Sequence, residues 1–267
     1  MPPVLGRPSA ASAQEPQLGA HGEAVTATYR AEGGSTDWCT LRAATVTGVR
    51  HRLAGEPGQD GFAWAIREGL VALAVTDGIG AVEGSERAAA AAASAAVEAA
   101  VAYESDRPEL GAAGAVGAAV QAANSACVGE GATTLVVAVI ERDGEVVLGR
   151  VGDSTAFIVG TDGPHGPAWS ELFEVAAANS ESIGVETEAL PSDEPEVEVS
   201  TARLEGGDIL VLASDGVADP WRDGPTTVAP AFTALISQRP APLALAAAAD
   251  FSRQGCHDDR TIVLLWL

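Results

Sequence analysis

Short apolar runs rich in β-branched residues, cut off by Gly- and Asp-containing turns, restrict the fold of this chain most. Gly61–Ile66 and Leu70–Val75 (LVALAV) read as two strands joined across Arg67-Glu68-Gly69, a short hairpin connection. Thr133–Glu141 (TTLVVAVIE) turns at Arg142-Asp143-Gly144 into Glu145–Val151, and Thr155–Val159 carries the meander to a turn at Thr161-Asp162-Gly163. Glu196–Leu204 alternates apolar and polar residues as a half-exposed strand does. Ile209–Ala213 (ILVLA) reads as a buried strand, and Thr261–Leu267 (TIVLLWL) as the last one. Between these runs, the Ala-rich segment Gly84–Tyr103 and the segment Ala112–Asn124 after Gly111 read as helices, and two more fill 229–252. Meandering strands with helices inserted in pairs imply an α+β sandwich rather than a doubly wound parallel sheet.

The chain has 267 residues, enough for one sizeable core. Residues 1–35, rich in Pro, Gly, Ala, Ser and Gln without a period, read as a flexible tail before a single domain at 36–267. There are 37 acidic residues against 15 basic ones, a net charge of −22. That balance argues against nucleic acid and against an anionic membrane surface. No apolar run approaches the roughly 18 residues of a membrane span. Cys39, Cys127 and Cys256 are odd in number and widely spaced, which fits a reducing, cytoplasmic setting.

Four aspartates stand at strand ends. Asp60 precedes Gly61–Ile66 and Asp77 follows Leu70–Val75, so an antiparallel hairpin brings both to one edge of a sheet. Asp215 follows Ile209–Ala213 and Asp258 precedes Thr261–Leu267, and the same logic applies if those strands are antiparallel neighbours. Clustered carboxylates repel unless cations neutralise them, and all-oxygen ligation suits Mg²⁺ and Mn²⁺. Taken singly, each is also an ordinary turn aspartate.

Six short motifs occur in order: Gln59-Asp60, Val75-Thr76-Asp77-Gly78-Ile79-Gly80, Gly131-Ala132-Thr133-Thr134-Leu135, Val151-Gly152-Asp153-Ser154, Ala213-Ser214-Asp215-Gly216-Val217 and Asp258-Asp259-Arg260-Thr261. Together they resemble the motif series of type 2C metal-dependent protein phosphatases, and His51…Gly55-Glu56-Pro57-Gly58-Gln59-Asp60 is similar to a bacterial branch of that family with a longer approach to the aspartate. The resemblance implies a four-layer α-β-β-α sandwich, two central antiparallel sheets flanked by helix pairs. It implies two Mn²⁺ or Mg²⁺ ions, with Asp77 bridging both, Asp60 and the Gly78 carbonyl completing one site, and Asp215 and Asp258 completing the other. A hydroxide bridging the metals would attack phosphoserine or phosphothreonine directly. The implied partners are a phosphorylated Ser/Thr protein as substrate and an opposing Ser/Thr kinase.

The chain departs from the family in two places. The family's phosphate-gripping Arg, five residues before the first metal Asp, is Gly55 here; Arg50, His51 and Arg52 are the nearest basic residues, and His51 or Arg52 is the expected phosphate contact. The Arg that commonly follows Gly-Asp-Ser is Thr155. Asp219 and Asp223 are candidates for a third metal, with cap or turn roles as the plainer reading. Asp153 is read as ordering the meander or as a turn residue, and Thr133 and Thr134 as strand residues. His257, beside Asp258, could touch a metal-bound water or serve the surface. Residues 177–194 form a polar loop, read as a substrate flap or a plain connection. Two other functions compete: an esterase using Ser154 with Asp162 and His165, and a catalytically silent binding module on the same fold.

Overall fold

The computed structural model describes residues 29–67, 69–80, 82–106, 111–160, 168–173, 187–222 and 228–267. The elements in chain order are β1 (Tyr29–Ser35), β2 (Thr40–Val46), α1 (Val49–Ala54), β3 (Asp60–Arg67), β4 (Leu70–Asp77), α2 (Ser85–Asp106), α3 (Gly111–Cys127), β5 (Leu135–Glu141), β6 (Glu145–Val151), β7 (Thr155–Gly160), β8 (Ala168–Glu171), β9 (Glu198–Arg203), β10 (Ile209–Ala213), α4 (Asp215–Arg222), α5 (Val228–Ile236), α6 (Pro242–Ala249) and β11 (Arg260–Trp266). One antiparallel sheet runs β1-β2-β11-β10-β7-β8 and the other β3-β4-β5-β6-β9. They stack face to face with helices outside, the α+β four-layer sandwich.

Three layers of core explain why the strands lack polar alternation. Side chains point to opposite faces along a strand, and here both faces are covered. In β4, Val71, Leu73 and Val75 fill the space between the sheets, while Leu70, Ala72 and Ala74 meet α2 and α3. In β10, Leu210 and Leu212 face the other sheet, and Ile209, Val211 and Ala213 join the helical side. Alanine and valine dominate the contact of α2 and α3 with their sheet. The opposite outer layer is aromatic, with Phe157 stacked on Trp221 at 5.5 Å and Trp221 against Phe232.

The tail boundary moves: Tyr29–Ser35 is a strand, paired in register with Thr40–Val46 from Tyr29↔Val46 to Ser35↔Thr40. Its polar, Gly-containing sequence hides this, because pairing rather than burial holds it. A side chain at Gly33 would lie 2.7 Å from both Arg42 Cδ and the Leu41 carbonyl. Besides β1, four elements lie outside the sequence reading: β2, α1, β8 and α4. Helix α1 has six residues and stops at Gly55, whose φ of 73° is the left-handed conformation glycine adopts freely. No described helix is long and apolar enough to cross a membrane.

Candidate metal centre and substrate cleft

Strand register places the first two carboxylates. β3 and β4 pair Asp60 directly with Asp77, so both side chains leave the same face of the hairpin. β10 and β11 are antiparallel neighbours with Ala213 opposite Ile262, which brings Asp215, at the first residue of α4, to the end of the sheet that Asp258 also occupies. Ser214 joins the two sheets at this end: its Oγ donates to Asp60 Oδ2 (2.7 Å) and accepts the Thr261 amide (2.9 Å).

Asp77 is central. Its carboxyl lies within hydrogen-bonding reach of both Asp60 and Asp215. Burial, then the charges of Asp60 and Asp215, hold it well above the usual carboxylate range. Burial and then the Asp259 charge do the same to Asp60. Asp215 is pushed up to about 6, mainly by burial. The Asp77 backbone is clamped as well. Its amide donates to Thr134 Oγ1 (3.2 Å), and its carbonyl accepts from the Thr134 amide (2.8 Å) and Thr133 Oγ1 (2.9 Å). Thr134 Oγ1 in turn meets Ser154 Oγ at 2.8 Å. The Gly131–Leu135 and Val151–Ser154 motifs thus act on Asp77 through its main chain. A side chain at Gly78 would lie within 2.9 Å of Gln59 and Ser85, so this turn admits only glycine without a shift.

A cleft of about 310 Å³, lined by Arg50, Asp215, Asp219, His257 and Asp258 among others, opens beside these groups. Arg50 Nη2 stands 3.8 Å from Asp258 Oδ1, and a side chain at Gly80 would lie 2.8 Å from the same nitrogen.

Among the described residues, no group of three or more His, Cys, Asp or Glu side chains is already arranged to hold an ion. The donor set nevertheless fits one. Asp60 Oδ1 and Asp215 Oδ1 are buried without a hydrogen-bond partner, a costly state for an acceptor among like charges. A divalent cation supplies such a partner, and an all-oxygen set suits Mg²⁺ or Mn²⁺.

The family model for protein phosphatase 2C matches residues 47–247. The chain belongs to the protein phosphatase 2C family. Solved structures share the fold at low identity. PppA of Pseudomonas aeruginosa, a regulatory component of a type VI secretion system, is 17% identical at a TM-score of 0.60, covering 86% of this chain and 98% of its own. The Mycobacterium tuberculosis serine/threonine phosphatase PstP/Ppp is 20% identical at 0.55, covering 86% and 98%. RsbX in complex with magnesium is 13% identical at 0.54, covering 88% and 98%. No curated protein matches the chain.

Phosphatase 2C proteins use divalent metals, and family membership supports metal-dependent Ser/Thr phosphatase activity in general. Against that pattern the structure brings Asp60, Asp77 and Asp215 together and puts Asp258 on the cleft. It redirects the two expected phosphate contacts. Arg52 donates to Asp250 (2.9 Å) and lines a separate cavity with Tyr29 and Leu243, because two residues along α1 place it on the side of the helix opposite Arg50. His51 is 3% exposed and turned inward, its Nδ1 at 3.1 Å from both Asp259 oxygens. Arg50, one residue earlier, is the arginine that lines the cleft among the described residues. The sequence lacked the signal to choose it, since a six-residue helix was not legible.

Asp219 lines the cleft, accepts from Arg222 Nη1 (2.7 Å), and its charge reaches Asp215, as does that of Asp153. The His257 carbonyl accepts the Arg50 amide (3.2 Å). Asp223, Asp162, His165 and most of the 177–194 loop, Asn179 to Ser182 included, lie outside the described residues. The described end of that loop is fastened: Leu190 exchanges backbone bonds with Thr133, and Asn124 bonds Ser192 twice. Ser154 is buried against Thr134, which removes it as an esterase nucleophile.

Proposed function

We propose that this chain is a phosphoprotein phosphatase acting on phosphoserine and phosphothreonine. In this reading Asp77 serves two divalent ions, Asp60 and the Gly78 carbonyl complete one site, and Asp215 and Asp258 complete the other. The observation that carries it is the position of Asp77, within reach of both Asp60 and Asp215 where two buried carboxylate oxygens have no partner. When bound, the ions supply Lewis-acid activation of water and neutralise phosphate charge. Arg50 grips the substrate phosphate at the cleft mouth, its guanidinium offering paired donors to phosphoryl oxygens. Ser214, Thr133 and Thr134 hold the carboxylates in place. Hydrolysis joins a water oxygen to phosphorus and breaks the bond to the Ser or Thr oxygen, which leaves protonated. Cys127 is no nucleophile, since its buried thiol is pushed up to about 11.

The solved relatives named as a serine/threonine phosphatase and as a magnesium complex agree with this chemistry. The three free cysteines suit the reducing cytoplasm, where a Ser/Thr kinase would oppose the enzyme. The test is phosphate release from a phosphothreonine peptide. Release should require Mn²⁺ or Mg²⁺, stop with a chelator and return with excess metal. Full activity of stripped protein in chelator contradicts the two-metal reading. Metal uptake without release favours a silent binding module.

A further inference from the structure

One buried carboxylate outside the proposed ligand set bonds the backbone next to Asp60, and its own main chain adjoins Asp258 and packs against Gly216. Asp259 is 2% exposed. Its Oδ1 accepts the Gly48 amide (2.5 Å) at the start of α1, and its Oδ2 accepts the Gln59 amide (2.6 Å), the residue before Asp60. His51 Nδ1 bonds both oxygens from within α1. The Asp259 amide donates to Asp258 Oδ1 (3.2 Å). Its main chain also presses on Gly216, next to Asp215: a side chain there would collide with the Asp259 carbonyl oxygen. Asp259 therefore contacts the immediate neighbours of Asp60 and Asp215 and adjoins Asp258 itself.

We propose that the Asp259–His51 pair is a positioning device for the metal carboxylates, fixing the Gln59–Asp60, Asp215–Gly216 and Asp258 segments relative to one another. His51 is then neither a phosphate contact nor a ligand. It saturates the Asp259 oxygens so that a lone carboxylate can stay buried among three backbone segments. A pair that only closed α1 onto the sheet would affect folding alone. The two roles differ in what a conservative change disturbs. Partners behind metal ligands typically contribute about 10–100-fold in metal affinity.

This inference rests on the proposed metal centre, and its test separates the two. Mn²⁺ binding is followed by the paramagnetic resonance signal of free Mn²⁺, with thermal melting of the metal-free protein alongside. Wild type should bind Mn²⁺. Asp259→Asn should weaken binding by about 10–100-fold with a melting point close to wild type, and turnover of a small aryl phosphate should recover at high Mn²⁺ with KM unchanged. His51→Gln, whose amide can still donate to Asp259, should bind within about threefold of wild type, and His51→Leu about tenfold more weakly. Wild-type affinity in a folded Asp259→Asn overturns the inference. If the Asp259 variants do not fold, the His51 pair decides, and equal affinity in Gln and Leu variants overturns it. Mn²⁺ uptake by wild type without phosphatase activity would remove the proposed function and leave the positioning role supported by the binding series. No uptake at all removes both.

Discussion

The two halves of the candidate metal centre are built by different means. Asp60 and Asp77 are fixed by backbone: they sit opposite each other in a hairpin register, and both half-buried carboxyls are held high by burial and by neighbouring carboxylates. Asp215 and Asp258 depend on side-chain ties and on loop and helix-start geometry, and Asp258 is 47% exposed beside Arg50. The first half is rigid and electrostatically strained without a cation. The second is open, and in the proposed function it is the side that admits the phosphorylated substrate. A site of this kind separates holding the ions from admitting the phosphate.

The comparison breaks most clearly at Asp77. Asp77→Asn should lower kcat/KM for a phosphothreonine peptide by about 100-fold or more at saturating Mn²⁺, since misplacing reacting groups by about an ångström costs that much. The same change should raise the melting temperature of the metal-free protein at neutral pH, because it removes a poorly solvated charge repelled by Asp60 and Asp215. Asp258→Asn should cost less activity and leave metal-free stability nearly unchanged. Equal effects at both positions would erase the distinction between the halves.

Arg50 sharpens it on the open side. Arg50→Ala should raise KM by about tenfold with kcat less affected, the pattern of lost ground-state binding. Arg52→Ala should stay within about twofold, since Arg52 bonds Asp250 in another cavity. A larger effect at Arg52 than at Arg50 would return the phosphate contact to Arg52.

Protons test the buried half. A carboxyl whose folded pKa lies above its unfolded value contributes stability below the unfolded value and loses it as pH rises through the folded one. Asp215, at about 6 when folded, should make metal-free protein lose stability as pH rises from about 4 to 6, with Asp60 and Asp77 extending the loss upward. Melting curves across that range should fall by several degrees without metal and flatten with Mn²⁺. An identical slope with and without metal contradicts the assignment. The smallest effect is at Ser214: Ser214→Ala strands the Asp60 carboxylate and the Thr261 amide and should cost about 1–3 kcal/mol, read as a lower melting point in the metal-bound protein.

The same contrast sets what the sequence reveals. The hairpin pairing of Asp60 with Asp77 was legible because the side-chain period of a strand and a short turn leave one register. The buried runs at 70–75, 209–213 and 261–267 were legible for the same reason. β1 was not, because Tyr29–Ser35 is held by pairing with β2 and carries no buried face of its own. Arg50 and the inward turn of His51 were not, because they depend on a six-residue helix whose stop at Gly55 makes sense only once α1 is seen. Asp258 and Asp259 are adjacent and chemically identical. Nothing local says that one lines the cleft while the other is buried under Gly48 and Gln59.

The central claim is that these carboxylates hold divalent ions, and diffraction from crystals grown with Mn²⁺ tests it most directly. The account predicts two anomalous peaks, one between Asp60, Asp77 and the Gly78 carbonyl and the other between Asp77, Asp215 and Asp258. Crystals in millimolar Mn²⁺ that show no peak beside Asp77 would contradict it.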